Sequence, residues 1–231
     1  MGIAEITPGI SGATIAGLFN VYKDFVNFLN VFNPFKIKPN LSYFYKNINF
    51  NFIIPLLLGM AISIYLSAFA IDYFRKSYLY ELKIFLSAVM FIAVVKNCGL
   101  DQSLNDSLKY ILDFFLGLLI AIVIALSLVE LDFNNSFLLV LAGLLAFTAF
   151  LLPGISGSLV LIILGVYGNI TTAIKDINVI FLIPFIIGMA ISFLIIPAQI
   201  IKRINDNEVK AKVFFSGLIL GSIPAVWLYL I

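Results

Sequence analysis

The sequence predicts an all-α, polytopic integral membrane protein made of two inverted-topology repeats. Each repeat contains a re-entrant or broken half-helix that starts at Pro-Gly-Ile-Ser-Gly. Three observations predict this. Of 231 residues, 62% are hydrophobic and 11% charged, against roughly 25% charged in a water-soluble domain; so little charge cannot cover a surface in water. The word PGISG stands at 8–12 and returns at 153–157. Longer blocks recur in the same order: FIIPLLLGMAIS at 52–63 returns as FLIPFIIGMAIS at 181–192, and LKIFLSAV at 82–89 resembles AKVFFSGL at 211–218. Ordered internal repeats define architecture. The expected organisation is one membrane domain, with a first repeat at 1–95, a connector at 96–135 and a second repeat at 136–231.

Taken in order, the elements follow from the roughly 20 apolar residues that a spanning helix needs. Ile10–Phe32 begins at the first PGISG and is broken by the polar run NVYKD at 20–24, so it reads as a half-helix too short to span. Phe35–Asn51, with Lys36, Lys38 and Lys46, is the longest loop. Phe52–Phe74 is a full span, Leu82–Val95 a short one, and Leu108–Val129 the connector span. Ser136–Leu152 leads into the second PGISG, and Ile155–Ile174 is its half-helix, broken at GVYGN, 165–169. Val179–Ile201 and Val213–Ile231 complete the second copy. No segment reads as a strand.

Basic residues decide the orientation, because they favour the cytoplasmic side. If each PGISG segment turns back, Lys23, Lys36, Lys38, Lys46, Lys96, Lys109, Lys202, Arg203, Lys210 and Lys212 share one side. Only Arg75, Lys76, Lys83 and Lys175 then lie on the other. If each segment crosses instead, the basic residues divide evenly. Only the first arrangement yields a clear cytoplasmic face, and it makes the halves inverted. A multi-pass protein of the inner or plasma membrane is expected.

Composition excludes several functions. A single cysteine, Cys98, permits no intrachain disulfide. There is no histidine, and the acidic residues are scattered, so neither a metal site nor a histidine-based nucleophile is available. No cofactor and no enzymatic activity are expected. A net charge of +2 points to no nucleic-acid partner. The start, MGIAEITPG, lacks the basic-then-apolar pattern of a cleaved signal peptide.

The repeated word carries the chemistry. Pro8 and Pro153 break the incoming helix and suit the first turn of a new one. Gly9 and Gly154 permit a sharp backbone turn and close approach by a ligand. Ser11 and Ser156 can cap the new helix or donate to an anion. Gly12 and Gly157 keep its mouth free of side chains, and Thr14 and Ser158 add hydroxyls just inside. The product is a helix N-terminus at membrane depth, which attracts phosphate or carboxylate. Broken helices of inverted-repeat transporters hold substrate in this way. Close helix packing is the other use of such a kink. The two copies, each leading into a half-length helix, favour binding. Glu5 has no counterpart in the second copy, where Phe150 stands. A carboxylate at membrane depth tends to be functional, so Glu5 is a candidate for proton or ion coupling or for gating; the alternative is a water-facing group near the chain start. Tyr22 and Tyr167, in the VY pair after each half-helix, read as interfacial anchors. Lys96, Asp113 and Glu130 read as helix-end groups that snorkel or face water.

MGIAEITPGISGATIAGLFNVY and LLPGISGSLVLIILGVYGNI resemble the two signature segments of the bacterial and archaeal polyprenyl-phosphate transporter family. The resemblance covers nearly the whole chain. It implies a translocase that returns undecaprenyl phosphate, the lipid carrier of cell-envelope synthesis, between leaflets. The family usually has Asp where Glu5 stands, which keeps the carboxylate. It usually also has a helix before the first motif, whereas seven residues precede Pro8 here. The substrate-contacting residues implied are Pro8, Gly9, Ser11, Gly12 and Thr14 with Pro153, Gly154, Ser156, Gly157 and Ser158. The partners implied are the polyprenyl-phosphate lipid and membrane lipids. A transporter or channel for a small soluble anion would use the same helix ends. A groove open to lipid near the motifs would separate the first reading from the second.

Overall fold

The computed structural model describes residues 1–7, 9–34, 47–100, 103–127 and 135–230. Pro8, Lys36, Lys38, Lys46 and Glu130 lie outside the described residues.

All described elements are helical. α1 (Gly2–Ile6) precedes the first motif. After it come α2 (Gly12–Leu18), α3 (Tyr22–Asn30), α4 (Phe50–Ser77) and α5 (Leu79–Val95), which continues into a π-helical turn over Lys96–Leu100. The connector holds the short α6 (Leu104–Leu108) and α7 (Ile111–Leu126). α8 (Ser136–Leu151) leads to the second motif, followed by α9 (Gly157–Ile163), α10 (Tyr167–Lys175), α11 (Val179–Asp206) and α12 (Glu208–Tyr229).

The recurrence seen in the sequence reappears in lengths and torsions. α2, α3 and α4 run 7, 9 and 28 residues; α9, α10 and α11 run 7, 9 and 28. The predicted breaks fall at matching left-handed residues, Asn20 at φ 58° and Gly165 at φ 72°. Each closes its half-helix with a six-to-one bond, Val21 N–H to the Ala16 carbonyl at 2.9 Å and Val166 N–H to the Leu161 carbonyl at 3.0 Å. This bond satisfies carbonyls that a helix end leaves orphaned, and it explains why Asn or Gly stands there. α9 and α10 meet at 113°.

Capping sets the starts of the long helices. Asn178 accepts from Phe181 N–H, and Asn207 from Lys210 N–H. The Asn207 cap places the start of α12 at Glu208, five residues before the expected Val213, so its first turn is charged. The connector span begins at Ile111 rather than Leu108, because a separate helix ends just before it.

α12 is the centre of the bundle. It packs along α7 and against α5, while α11 packs along α8 and against α3, and α1 lies on α4. At the α7–α12 crossing, Gly117, Gly217 and Gly221 each abut main-chain atoms of the partner helix. Gly143 and Gly188 do the same at the α8–α11 crossing. Small residues at these points let backbones approach closely, the usual basis of helix association in lipid. The largest buried cluster joins α3 (Phe25, Val26, Leu29), α11 (Ile200, Ile204) and α12 (Phe215, Leu218) beside Ile155 of the second motif.

Among the described residues, three helices are long and apolar enough to cross a membrane: Phe50–Ser67 within α4, α11 and α12. Two bent pairs raise this to up to five if each counts as one span. The chain is therefore an all-α, multi-spanning membrane protein with bent or re-entrant segments.

Candidate functional site

Both motifs turn at a left-handed glycine, Gly9 at φ 94° and Gly154 at φ 100°, a conformation that costs other L residues energy. Both turns rest on α12. A Cβ on Gly9 would lie 3.0 Å from Val226 Cα, and one on Gly154 would lie 2.6 Å from Ile219 N. The space beside these glycines, expected from the sequence to admit a ligand, is thus filled by α12 backbone.

At the first motif, Ser11 is fully buried and caps α2, its hydroxyl accepting from Ala13 N–H at 3.1 Å. The Gly12 N–H donates to Glu5 Oε1 at 2.6 Å. Glu5 therefore sits on the first amide of α2, where a negative charge complements the helix end.

At the second motif, the turn is made differently. Ser156 makes no capping hydrogen bond; its hydroxyl instead pairs with that of Ser158 at 2.7 Å. Gly157 lies against the Ala146 carbonyl of α8. Phe150, in the place corresponding to Glu5, packs edge-on to Phe25 and beside Phe147.

The two motif segments touch. The Gly154 N–H donates to Thr14 Oγ1 at 2.8 Å, a buried bond that joins one half-helix to the opposite turn. A second tie comes from Tyr22, whose hydroxyl donates to the Leu151 carbonyl at 2.9 Å and whose ring meets Phe215 edge-on. The interfacial-anchor expectation fails for Tyr22, which is buried; Tyr167 is 42% exposed. The hydroxyl finds a buried carbonyl left free where α8 ends, and a ring so placed is held in the core. Lys96 reaches the Leu18 carbonyl at the end of α2, and Asp113 pairs with Lys210 at 3.4 Å.

Two openings adjoin the second turn. A cavity of about 370 Å³ reaches Pro153; its wall is mostly apolar and carries Asn20, Lys23, Asn97, Glu208 and Lys212. An apolar groove of about 260 Å³ runs beside Leu152 and Ile155, walled by Ile124, Leu145 and Ile163. Sequence reasoning missed Lys23 and Lys212 as site residues. The only signal was their shared side in the charge count. Among the described residues, no group of three or more His, Cys, Asp or Glu could hold a metal.

No solved structure matches this chain. A polyprenyl-phosphate transporter of Vibrio cholerae serotype O1 is 30% identical over 236 residues, covering 98% of this chain and 74% of that protein. The undecaprenyl phosphate translocase-like family model matches residues 1–230. A match over that length, on a polytopic helical protein whose two PGISG segments meet, establishes that the chain belongs to the undecaprenyl phosphate translocase-like family.

Proposed function

We propose that this protein moves a polyprenyl phosphate, with undecaprenyl phosphate as the expected carrier, between the leaflets of the inner or plasma membrane for cell-envelope synthesis. The observation that carries this reading is the placement of an apolar groove and a cavity bearing charged side chains beside one turn, at Leu152 and Pro153. An isoprenoid chain suits the groove and lipid beyond it. The phosphate is the part that cannot cross hydrocarbon unaided, and it suits the hydroxyls and amides of the turn. Ser156 and Ser158 with the α9 amides are the contacts we assign on the second motif; Ser11, Gly12 and Thr14 are those on the first.

The matching lengths and torsions of the two halves support two repeats, 1–95 and 136–231, joined by 96–135. Two contacts support inversion. Lys83 Nζ donates to the Trp227 carbonyl, which sets the start of α5 beside the end of α12. The Lys210–Asp113 pair sets the starts of α12 and α7 together. With α12 reversed relative to α5, the basic residues divide as the turn-back arrangement requires. Glu5 is the candidate coupling or gating group. While it holds the Gly12 amide it excludes a phosphate from that helix end, and on release it opens it. No step of this process makes or breaks a covalent bond.

Labelling of outward-facing polyprenyl phosphate in intact cells tests the function. Cells in which Ser156→Ala/Ser158→Ala replaces the wild type, with insertion verified, are expected to accumulate the outward-facing lipid. Equal surface levels, together with altered uptake of a soluble anion, would replace lipid translocation with anion transport.

A further inference from the structure

The cavity that touches Pro153 carries two cations and two carboxylates on its lining. It lies between the α2–α3 turn, the π-helical turn and the first turns of α12. Four charged side chains line it: Lys23 and Asp24 from α3, and Glu208 and Lys212 from α12. Asn20 and Asn97 add amides, and Ile204, Ala211 and Phe215 form an apolar wall. Lys212 is only 30% exposed, and its ammonium is held by Glu208 at 2.9 Å, while Glu208 is 52% exposed. An ion pair this open to water is weak and easily exchanged. A carboxylate more open to solvent than the ammonium it holds is a replaceable partner.

We infer that this cavity is a binding site for a phosphate monoester, with Lys23 and Lys212 as its cations and Glu208 as the internal anion that the phosphate displaces. The chemistry fits. A phosphate monoester carries up to two negative charges, so it competes for the two ammonium groups more strongly than either lining carboxylate, Glu208 or Asp24, does singly. The Asn20 amide supplies a neutral donor for a remaining oxygen. Buried Pro153 forms the inner end, so a phosphate held here stands next to the second turn. Free phosphate and a lipid headgroup share this chemistry. The site deepens the lipid-carrier reading and rests on it only for what bears the phosphate.

Purified full-length protein in lipid nanodiscs, titrated calorimetrically with a water-dispersible short-chain polyprenyl phosphate and separately with inorganic phosphate, tests the inference. All four charges are at least partly exposed, so the variants are expected to fold; thermal melts check this. Lys23→Gln/Lys212→Gln should raise the Kd of whichever phosphate binds by tenfold or more. Glu208→Gln should lower it several-fold. Lys109→Gln, outside the cavity lining and paired with Asp106, should leave it unchanged. An unchanged Kd in the double lysine variant, a loss equal to that of Lys109→Gln, or no binding of either phosphate by the wild type would overturn the site. Tight binding of the polyprenyl phosphate with weak binding of the inorganic ion upholds the site and the lipid reading. Binding of inorganic phosphate alone, sensitive to both lysines, upholds the site and removes the lipid reading. Conversely, loss of lipid translocation in the Ser156/Ser158 variant with normal Kd changes here keeps the two conclusions separate.

Discussion

At the first PGISG segment a carboxylate sits on the helix end, Glu5 on the Gly12 amide. At the second, an aromatic ring stands in the corresponding place and packs among Phe25 and Phe147. The backbones of the two turns match: both have glycine at φ near 100°, a seven-residue helix, and a left-handed closing residue. The two turns thus share a backbone and differ in what stands at the helix end. One helix end is already neutralised by the protein. The other keeps its amides and the Ser156–Ser158 pair beside two openings. In the proposed reading, the second turn takes the incoming anion, and the first is the one that a proton or competing charge switches.

The largest effect should come from the feature the turns share. Gly154→Leu combines a left-handed torsion, costing about 1–3 kcal/mol in a non-glycine residue, with overpacking against α12 of about 1–3 kcal/mol. Loss of detergent-stable protein is expected, and the same for Gly9→Leu. Normal yield of either variant, read by size-exclusion chromatography, would break the equivalence of the turns.

Next comes the feature that separates them. Glu5→Gln keeps the shape but removes the charge from a bond of the kind worth about 1.5–3 kcal/mol. Freed of its resident anion, the first turn should bind phosphate about tenfold more tightly in titrations, while pH-dependent steps of transport flatten. Phe150→Glu, in the reverse sense, should make the second turn resemble the first and reduce binding there. An unchanged affinity in both would show that the difference between the turns is packing alone.

A smaller effect tests the joint. Thr14→Val leaves the buried Gly154 N–H without its acceptor, a loss of about 1–3 kcal/mol, readable as a lower melting temperature. Tyr22→Phe removes the bond to the Leu151 carbonyl and should cost about 0.5–1.5 kcal/mol. If the two losses add fully in the double variant, the ties are independent; a shortfall would show that one docking event makes both.

The smallest effect lies in the connector, which has no counterpart in either half. Lys109 and Ser103 hold the Asp106 carboxyl below the usual carboxylate range. A depressed acid contributes stability above its unfolded pKa and loses it as pH falls through the folded value. Asp106→Asn should therefore cost a slight amount of stability at neutral pH, and that difference from the wild type should vanish as pH falls through the folded value.

Much of this architecture was legible because it is local. Asn20 and Gly165 announce their breaks, since few residues accept a left-handed torsion. The recurring blocks announce α4 and α11 through their own composition. The site was less legible. Nothing near Thr14 reveals that it receives the Gly154 amide, 140 residues away in sequence. The glycines were read as clearance for a ligand because the sequence does not say what faces them, and α12 does. Lys23 and Lys212 come from different helices, so no spacing marks them as neighbours. Glu5 stood out by its cost in lipid, but its partner seven residues on appears only when the turn is folded back.

The position of α12 has a mechanical consequence. Its backbone backs the second turn at Ile219 and the first at Val226, two helical turns apart and about 10 Å along the axis. One helix therefore bears on both turns at separate points, with Pro224 between them as the place where it can bend. Sliding it drags the two together, whereas rocking it about a pivot between them presses one as it relieves the other. A single lever arm thus couples two helix ends that share no covalent link shorter than most of the chain.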